Sequence, residues 1–161
     1  YTVSEAIQQY NSLFDPSKRV DPAKKGFRKG MTLKTIGWHE SIDLNQNISQ
    51  LSGGQNQIVK ISMTLMQSDL QYYLFDEPFN SLSQVNRRVF CQKIWDLLNS
   101  TAQGGAKSVL VVEHGQELSN FLREQISSTG SNENVQIRTY SFKDSEEGLY
   151  IERDKVGTGE T

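Results

Sequence analysis

Apolar positions along the chain alternate between helical spacing and short continuous runs, an order typical of an α/β protein. Near the start, Val3, Ile7, Tyr10 and Phe14 recur at helical spacing. Such spacing places the apolar side chains on one face of a helix. The first part of the chain therefore predicts, in order, a helix over residues 1–14, a polar linker to about residue 30, a short helix over 31–36 and a loop over 38–50.

The second part predicts helices and strands in turn. Aromatic and apolar residues between charged ones at 71–75, and the run at 108–112, are typical of buried parallel strands. A helix between these two strands gives a strand, helix, strand unit. The predicted elements are helices over 53–67, 85–98 and 117–126, parallel strands over 71–75 and 108–112, and a hairpin of 135–142 with 148–154 around residues 145–148.

This order predicts three regions. Residues 1–50 form a helical subdomain, residues 51–126 a core with a parallel sheet, and residues 127–161 a loop, an antiparallel hairpin and a tail. At 161 residues the chain has the length of one ordinary domain or most of one.

Composition narrows the classes of partner. Seventeen Lys and Arg against nineteen Asp and Glu give a net charge of −2, so overall charge does not favour nucleic acid or an anionic membrane. The basic cluster over 18–29 contains Pro and Gly, which predicts a solvated loop; a docking or phosphate-contacting loop is the alternative. The single cysteine, Cys91, lies in an apolar run and predicts a buried thiol and a reducing compartment. No apolar run reaches the length of a membrane span.

A glycine-rich turn precedes the predicted helix over 53–67. Its residues are Leu51, Ser52, Gly53, Gly54 and Gln55. Paired glycines let a phosphate approach the backbone, and the following helix directs its N-terminal amides and its dipole at the anion. Ser52 adds a hydroxyl donor. The alternative is a turn that only caps the helix.

Two carboxylates follow the first predicted strand. Asp76 and Glu77 come at its carboxyl end, where ligands bind in open α/β sheets. We expect Asp76 to hold magnesium and Glu77 to orient a water nucleophile. The second strand ends in His114, whose neutral imidazole is suited to contact a terminal phosphate. An acidic turn and a polar strand end are the corresponding alternatives.

Taken together, LSGGQ, YYLFDEP and VVEH resemble the signature loop, Walker B strand and switch histidine of the ATP-binding-cassette (ABC) ATPases. The resemblance covers about residues 1–120. It implies that Asp76 binds magnesium, that Glu77 and His114 are catalytic, and that ATP and Mg²⁺ are the ligands. It also implies that a second cassette forms a homo- or heterodimer with the chain, and that the signature loop acts in trans on ATP held by that partner. The residues matching the family's signature and inter-cassette loops are Ser52, Gly53, Gly54 and Gln55, and Asn80, Ser81, Leu82 and Ser83.

The chain departs from this pattern in three places. Ser83 stands where the loop after Walker B usually ends in aspartate, and Ile58 stands where many members have a basic residue. No GxxGxGK phosphate loop (Walker A) is present; the end of the chain, 157–161, echoes it only faintly and predicts a disordered tail. A fragment of a longer protein, one piece of a split cassette and a degenerate partner would each explain this, and the abrupt start favours the fragment.

The resemblance implies an ABC-type ATPase with Walker A supplied from outside this segment. The first function is a motor that energises a membrane transporter through transmembrane subunits, on the cytoplasmic or organellar-matrix side. The alternatives are a soluble ABC ATPase acting on nucleic acid or ribosomes, and a degenerate, non-catalytic half-cassette.

Overall fold

The computed structural model describes residues 1–13, 37–39, 42–67, 70–99, 106–129, 135–145 and 148–153. They form two compact units, Tyr1–His114 and Gly115–Thr161. The predicted helix over 31–36 and the basic cluster over 18–29 lie outside the described residues. The three predicted regions remain a prediction.

The first unit contains a two-stranded parallel sheet. Strands β1 (Tyr72–Asp76) and β2 (Ser108–Val112) pair in register from Tyr72 with Ser108 to Asp76 with Val112. Helix α3 (Gln84–Asn99) connects them and contacts β2. The predicted α/β class and parallel pairing are therefore confirmed. Asp76 extends β1 by one residue beyond the predicted end.

The first unit also contains two helices that are shorter than α3. Helix α1 (Val3–Ser12) begins with a reciprocal cap, in which the Thr2 amide donates to Glu5 Oε2 at 2.7 Å and the Glu5 amide donates to Thr2 Oγ1. The first of these bonds lowers the pKa of the Glu5 carboxyl, because it stabilises the charged form. Helix α2 (Gly53–Leu65) contacts α1 and follows a single 3₁₀ turn at Ile48–Gln50.

The core of the first unit is built from α1, α2, α3 and the two parallel strands. Phe90 lies at its centre, fully buried, with its ring edge-on to Phe75 at 5.3 Å and to Phe79 at 5.5 Å between centroids. Cys91 is a buried thiol, as predicted. The other buried apolar residues of this unit are Val3, Ile7, Trp38, Ile42, Leu44, Ile58, Val59, Ile61, Tyr73, Leu82, Ile94 and Trp95.

The segment over 38–50 is mostly irregular where the structure describes it, as expected for a loop, but the burial of three of its apolar residues was not expected. Trp38, Ile42 and Leu44 are buried, and the Trp38 indole donates a 2.8 Å hydrogen bond to Ser62 Oγ on α2. The segment has little regular structure, yet it contributes to the core. Polar residues outnumber these three anchors, which concealed them in the hydropathy pattern.

The strands also differ from the expectation of burial on both faces. In β1, Tyr73 and Phe75 are buried, whereas Tyr72 is 76% and Leu74 is 64% exposed. In β2, Leu110 is 60% and Val112 is 39% exposed. An apolar sheet face, formed by Tyr72, Leu74, Leu110 and Val112, is therefore exposed in the part of the chain that the structure describes.

The second unit holds a helix and a hairpin. Helix α4 (Glu117–Thr129) is three residues longer than predicted, and strands β3 (Tyr140–Ser145) and β4 (Gly148–Arg153) pair antiparallel. The hairpin is confirmed, but residues 135–139 precede β3 rather than belonging to it. Among the described residues, no helix is long and apolar enough to cross a membrane.

Candidate functional site

The predicted carboxylates lie at the carboxyl edge of the parallel pair. Asp76 is the last residue of β1, is exposed, and stands beside Val112 of β2. The Glu77 amide donates to the Val112 carbonyl at 2.8 Å, which continues the pairing one residue past the strand. Both carboxylates are thereby held at the sheet edge that open α/β folds use for ligands.

Glu77 and His114 meet at this edge. The Nε2 atom of His114 lies 2.9 Å from Oε1 of Glu77, a hydrogen-bond distance. The two residues follow adjacent parallel strands, so the fold brings together side chains that are far apart in sequence. Both side chains are accessible, since Glu77 is 46% and His114 is 87% exposed. The pair is open to a ligand arriving from solvent.

The backbone at Glu77 is strained. Its φ is 45°, in the left-handed region that costs a residue with a side chain about 1–2 kcal/mol. Such conformations persist where surrounding contacts fix them, and they cluster at functional sites. The bond from the Glu77 amide to Val112 and the bond from the Asn80 amide to the Glu77 carbonyl, at 3.0 Å, hold this turn.

The glycine-rich turn forms the N-terminus of α2. Ser52 Oγ accepts from the Gln55 amide at 3.2 Å, and Gln55 Oε1 accepts from the Ser52 amide at 3.0 Å, which makes a capping box. Capping and anion binding are compatible, because the Ser52 hydroxyl accepts in the cap and keeps its hydrogen to donate. Ser52 and Gly53 are exposed at the positive end of the helix dipole.

The loop after Glu77 packs on this turn. Ser81 has a φ of 63°, and its carbonyl oxygen lies so close to Gly54 that a Cβ added there would stand 2.6 Å away. Gly54 is thus required by close approach of two backbones. The signature turn and the loop Asn80 to Ser83 are brought together, which the sequence order alone did not show.

Ser83 has a structural role in this loop. Its carbonyl accepts from the Arg87 amide at 2.9 Å and its Oγ from the Asn86 amide at 3.4 Å, so it caps the N-terminus of α3. Aspartate, the residue that the resemblance leads us to expect here, would serve the same cap with a negative charge. The departure at Ser83 therefore removes charge from the loop and keeps the cap.

Two contacting residues were assigned no role in the sequence analysis. Gln57 on α2 directs its Nε2 at the carbonyls of Glu77 and Pro78. Glu113 accepts from the Phe79 amide with Oε2 at 3.3 Å and from the His114 amide with Oε1 at 2.8 Å. For Glu113, the sequence signal was its position directly before His114. For Gln57 the only signal was its place two residues after Gln55.

Asp76 fits the way magnesium is held beside a nucleotide. The described residues contain no group of three or more His, Cys, Asp or Glu side chains placed to hold a metal ion. Mg²⁺ commonly takes one or two carboxylates and completes its shell with substrate phosphates and water. One exposed carboxylate at the sheet edge suits an ion that arrives with a phosphate ligand.

Proteins of similar sequence are known. No family model matches the chain. An uncharacterized ABC transporter ATP-binding protein of Haemophilus influenzae is 35% identical over 100 residues, which is 60% of this chain and 36% of that protein. The chain is similar in sequence to ATP-binding proteins of ABC transporters. The zinc transport system ATP-binding protein TroB of Treponema pallidum is 41% identical over 71 residues, covering 44% of the chain and 24% of TroB.

The chain therefore spans about a third and a quarter of the length of these two relatives. Two solved structures also align over 95% of it. An ABC transporter in an inward-facing conformation has a TM-score of 0.49 at 16% identity, with 66% of that chain covered. Archaeal ribosome recycling factor aABCE1, in complex with ribosomal stalk protein aP1, has a TM-score of 0.48 at 23% identity, with 31% of that chain covered.

Proposed function

We propose that this chain is the signature and Walker B part of an ATP-hydrolysing ABC ATPase that energises a membrane transporter. The observation that carries the proposal is the 2.9 Å contact between Glu77 and His114 at the carboxyl edge of a parallel sheet. A carboxylate and an imidazole at this place are suited to orient a water and to contact a phosphoryl group.

Within this proposal, Glu77 is the group that orients the attacking water. Its Oε1 atom is directed by His114, and its half exposure lets a water reach the carboxylate. His114 contacts the terminal phosphate and reports its presence to Glu77. Asp76 would hold Mg²⁺, which supplies positive charge to the phosphate oxygens when it is bound with the nucleotide.

The signature residues act on a second site. Ser52, Gly53, Gly54 and Gln55 form the start of α2, where Ser52 and Gly53 are exposed and where the helix amides and dipole favour an anion. We place them against ATP held by a second cassette, so that each hydrolysis site is composite. These four residues lie at a helix N-terminus, whereas Glu77 lies at the sheet edge. This difference in position supports a role for them that differs from the role of Glu77.

The phosphate-binding loop must come from another polypeptide segment. The open sheet face of Tyr72, Leu74, Leu110 and Val112 supports this, because apolar faces of parallel sheets are normally covered. The covering segment belongs to a longer form of this protein or to a partner, and we propose that it carries the Walker A loop. The ATP grip would be weak without it.

The transporter role is supported by the relatives. Both are ATP-binding proteins of transport systems by name. We therefore propose transmembrane subunits as partners and a place on the cytoplasmic side of the membrane. Nucleic acid and ribosomes receive no comparable support, since the net charge is −2.

The test is ATP turnover by the chain, alone and mixed with cassette segments that carry a Walker A loop. The chain alone should show little hydrolysis, and a productive mixture should show magnesium-dependent hydrolysis. Glu77→Gln in the same mixture should lower kcat by at least about a hundredfold, because the carboxylate is lost and the shape is kept. Unchanged turnover in Glu77→Gln would refute the assignment of Glu77.

A further inference from the structure

Gln57 connects the signature helix to the loop that carries Glu77. Its Nε2 lies 3.4 Å from the Glu77 carbonyl oxygen and 3.3 Å from the Pro78 carbonyl oxygen. Gln57 is partly buried, on the first turns of α2. One side-chain amide therefore contacts the backbone carbonyl of Glu77 and that of the next residue, Pro78.

These carbonyls belong to the strained part of the backbone. Glu77 has a φ of 45°, and Pro78 directly after it is buried. A left-handed residue keeps its conformation only where several contacts fix it. The hydrogen bonds that fix this turn come from β2, through the Val112 carbonyl, from the loop, through the Asn80 amide, and from α2, through Gln57.

Glu113 holds the same loop through a different set of hydrogen bonds. Its carboxylate joins the Phe79 amide to the His114 amide, so the position of the loop is tied to the end of β2. The Gln57 contact differs because it comes from another element. It is the side-chain bond, among those of the described residues, that ties α2 to the Glu77 backbone.

We propose that Gln57 is a positioning residue, which holds the Glu77 backbone and couples the signature turn to the direction of the Glu77 carboxylate. A helix moves as a rigid unit, so a shift of Ser52 and Gly53 toward a nucleotide also shifts Gln57. The shift is passed to the Glu77 carbonyl, and thereby to the carboxylate that faces His114. The catalytic half of this inference rests on the proposed ATPase function; the holding of the loop does not.

Gln57→Met tests the contact. It keeps the length of the side chain and a good helix former, and it removes the donor. The matched control is Gln92→Met, on the exposed face of α3, where the amide donates to Asp96 of the same helix. Amide hydrogen exchange of the full chain, followed by NMR, reports the loop, and the thermal unfolding midpoint reports the whole fold.

The first readout is local. Gln57→Met should accelerate exchange of the Glu77 and Asn80 amides by about tenfold, the effect of one lost net hydrogen bond, with the unfolding midpoint nearly unchanged. Gln92→Met should leave these two amides at wild-type rates. Equal exchange in all three proteins would overturn the inference, whatever their activity.

The second readout is turnover in the mixture described above. Gln57→Met should lower kcat by about tenfold with KM for ATP within about twofold, because the carboxylate is misdirected and ATP is held elsewhere. Faster exchange with unchanged kcat, while Glu77→Gln abolishes turnover, would overturn the catalytic half. If the unmodified chain hydrolyses ATP in no mixture, the proposed function fails, and the exchange rates still decide whether Gln57 holds the loop.

Discussion

The Nε2 atom of His114 lies 2.9 Å from Oε1 of Glu77, across the carboxyl ends of two parallel strands. This contact links a residue after β1 to a residue after β2, and the register of the sheet produces it. If the pair acts together on ATP, removal of both side chains should lower turnover little more than removal of Glu77 alone, since effects of residues that act as a unit are not additive.

We expect His114→Gln to lower kcat by about tenfold to a thousandfold in a productive mixture with a Walker A segment, because the imidazole contact to Glu77 is lost. His39→Gln is the matched control, since the His39 side chain is exposed and its amide makes the bond to Asn86. Steady-state kinetics measure both. A similar loss of kcat in the two variants would contradict the role of His114.

The two signature glycines should differ in their tolerance of alanine. A Cβ on Gly54 would stand 2.6 Å from the Ser81 carbonyl oxygen, whereas one on Gly53 meets Ser81 Oγ at 3.4 Å. The overlap should cost Gly54→Ala about 1–3 kcal/mol, against a gain of roughly 1 kcal/mol in helix propensity, so the free energy of unfolding should fall by up to about 2 kcal/mol. Gly53→Ala should be neutral or stabilising. Urea unfolding measures the pair, and equal effects would contradict the close approach at Gly54.

The sequence indicated that the candidate site residues lie at one sheet edge, because each of them follows a strand. Asp76, Glu77 and His114 each come at the end of a short apolar run, and parallel pairing of such runs sets their ends at one edge. The residues that hold the turn were not predictable in this way. The side-chain contact of Gln57 and the left-handed backbone of Glu77 depend on tertiary packing, which leaves no periodic signal.

In the fold, too, periodic elements were predictable from the sequence, and features that depend on tertiary packing were not. Elements with strong periodicity, such as β2 and α3, matched their predicted bounds within one residue. The segment containing Trp38 was predicted as a polar loop, since isolated apolar anchors have no period. The exposure of Leu74 and Leu110 was also unpredicted, because an apolar run looks alike whether one face or both are covered by this chain.

The buried bond from the Trp38 indole to Ser62 should contribute to stability. Both residues are nearly inaccessible, and the N···O distance is 2.8 Å. Ser62→Ala should cost about 1–3 kcal/mol in unfolding free energy, because the indole N–H stays buried without its acceptor. Ser49→Ala, at an exposed hydroxyl, should cost less than about 0.5 kcal/mol. Chemical denaturation decides the point, and a Ser62→Ala cost as small as that of the control would contradict it.

Lys93 should make the free energy of unfolding depend on pH in the alkaline range. Its ammonium lies 5.5 Å from the centroid of the Trp38 ring, and burial lowers the pKa of Lys93, an effect that the nearby Asp96 charge partly opposes. Between the lowered pKa and the ordinary lysine value of about 10.4, the unfolded chain binds more protons than the folded one, so stability from this group rises with pH.

Two substitutions isolate this effect. Lys93→Met carries no charge at any pH, and Lys93→Arg keeps its charge throughout the range, because a guanidinium does not lose its proton. The unfolding free energy of the wild type, measured in urea from neutral pH to about pH 10.4, should rise relative to that of Lys93→Arg. Over the same range its difference from Lys93→Met should shrink if the methionine variant is the more stable at neutral pH. A wild type that keeps a constant difference from Lys93→Arg across the range would show that burial of the ammonium has no effect on folding.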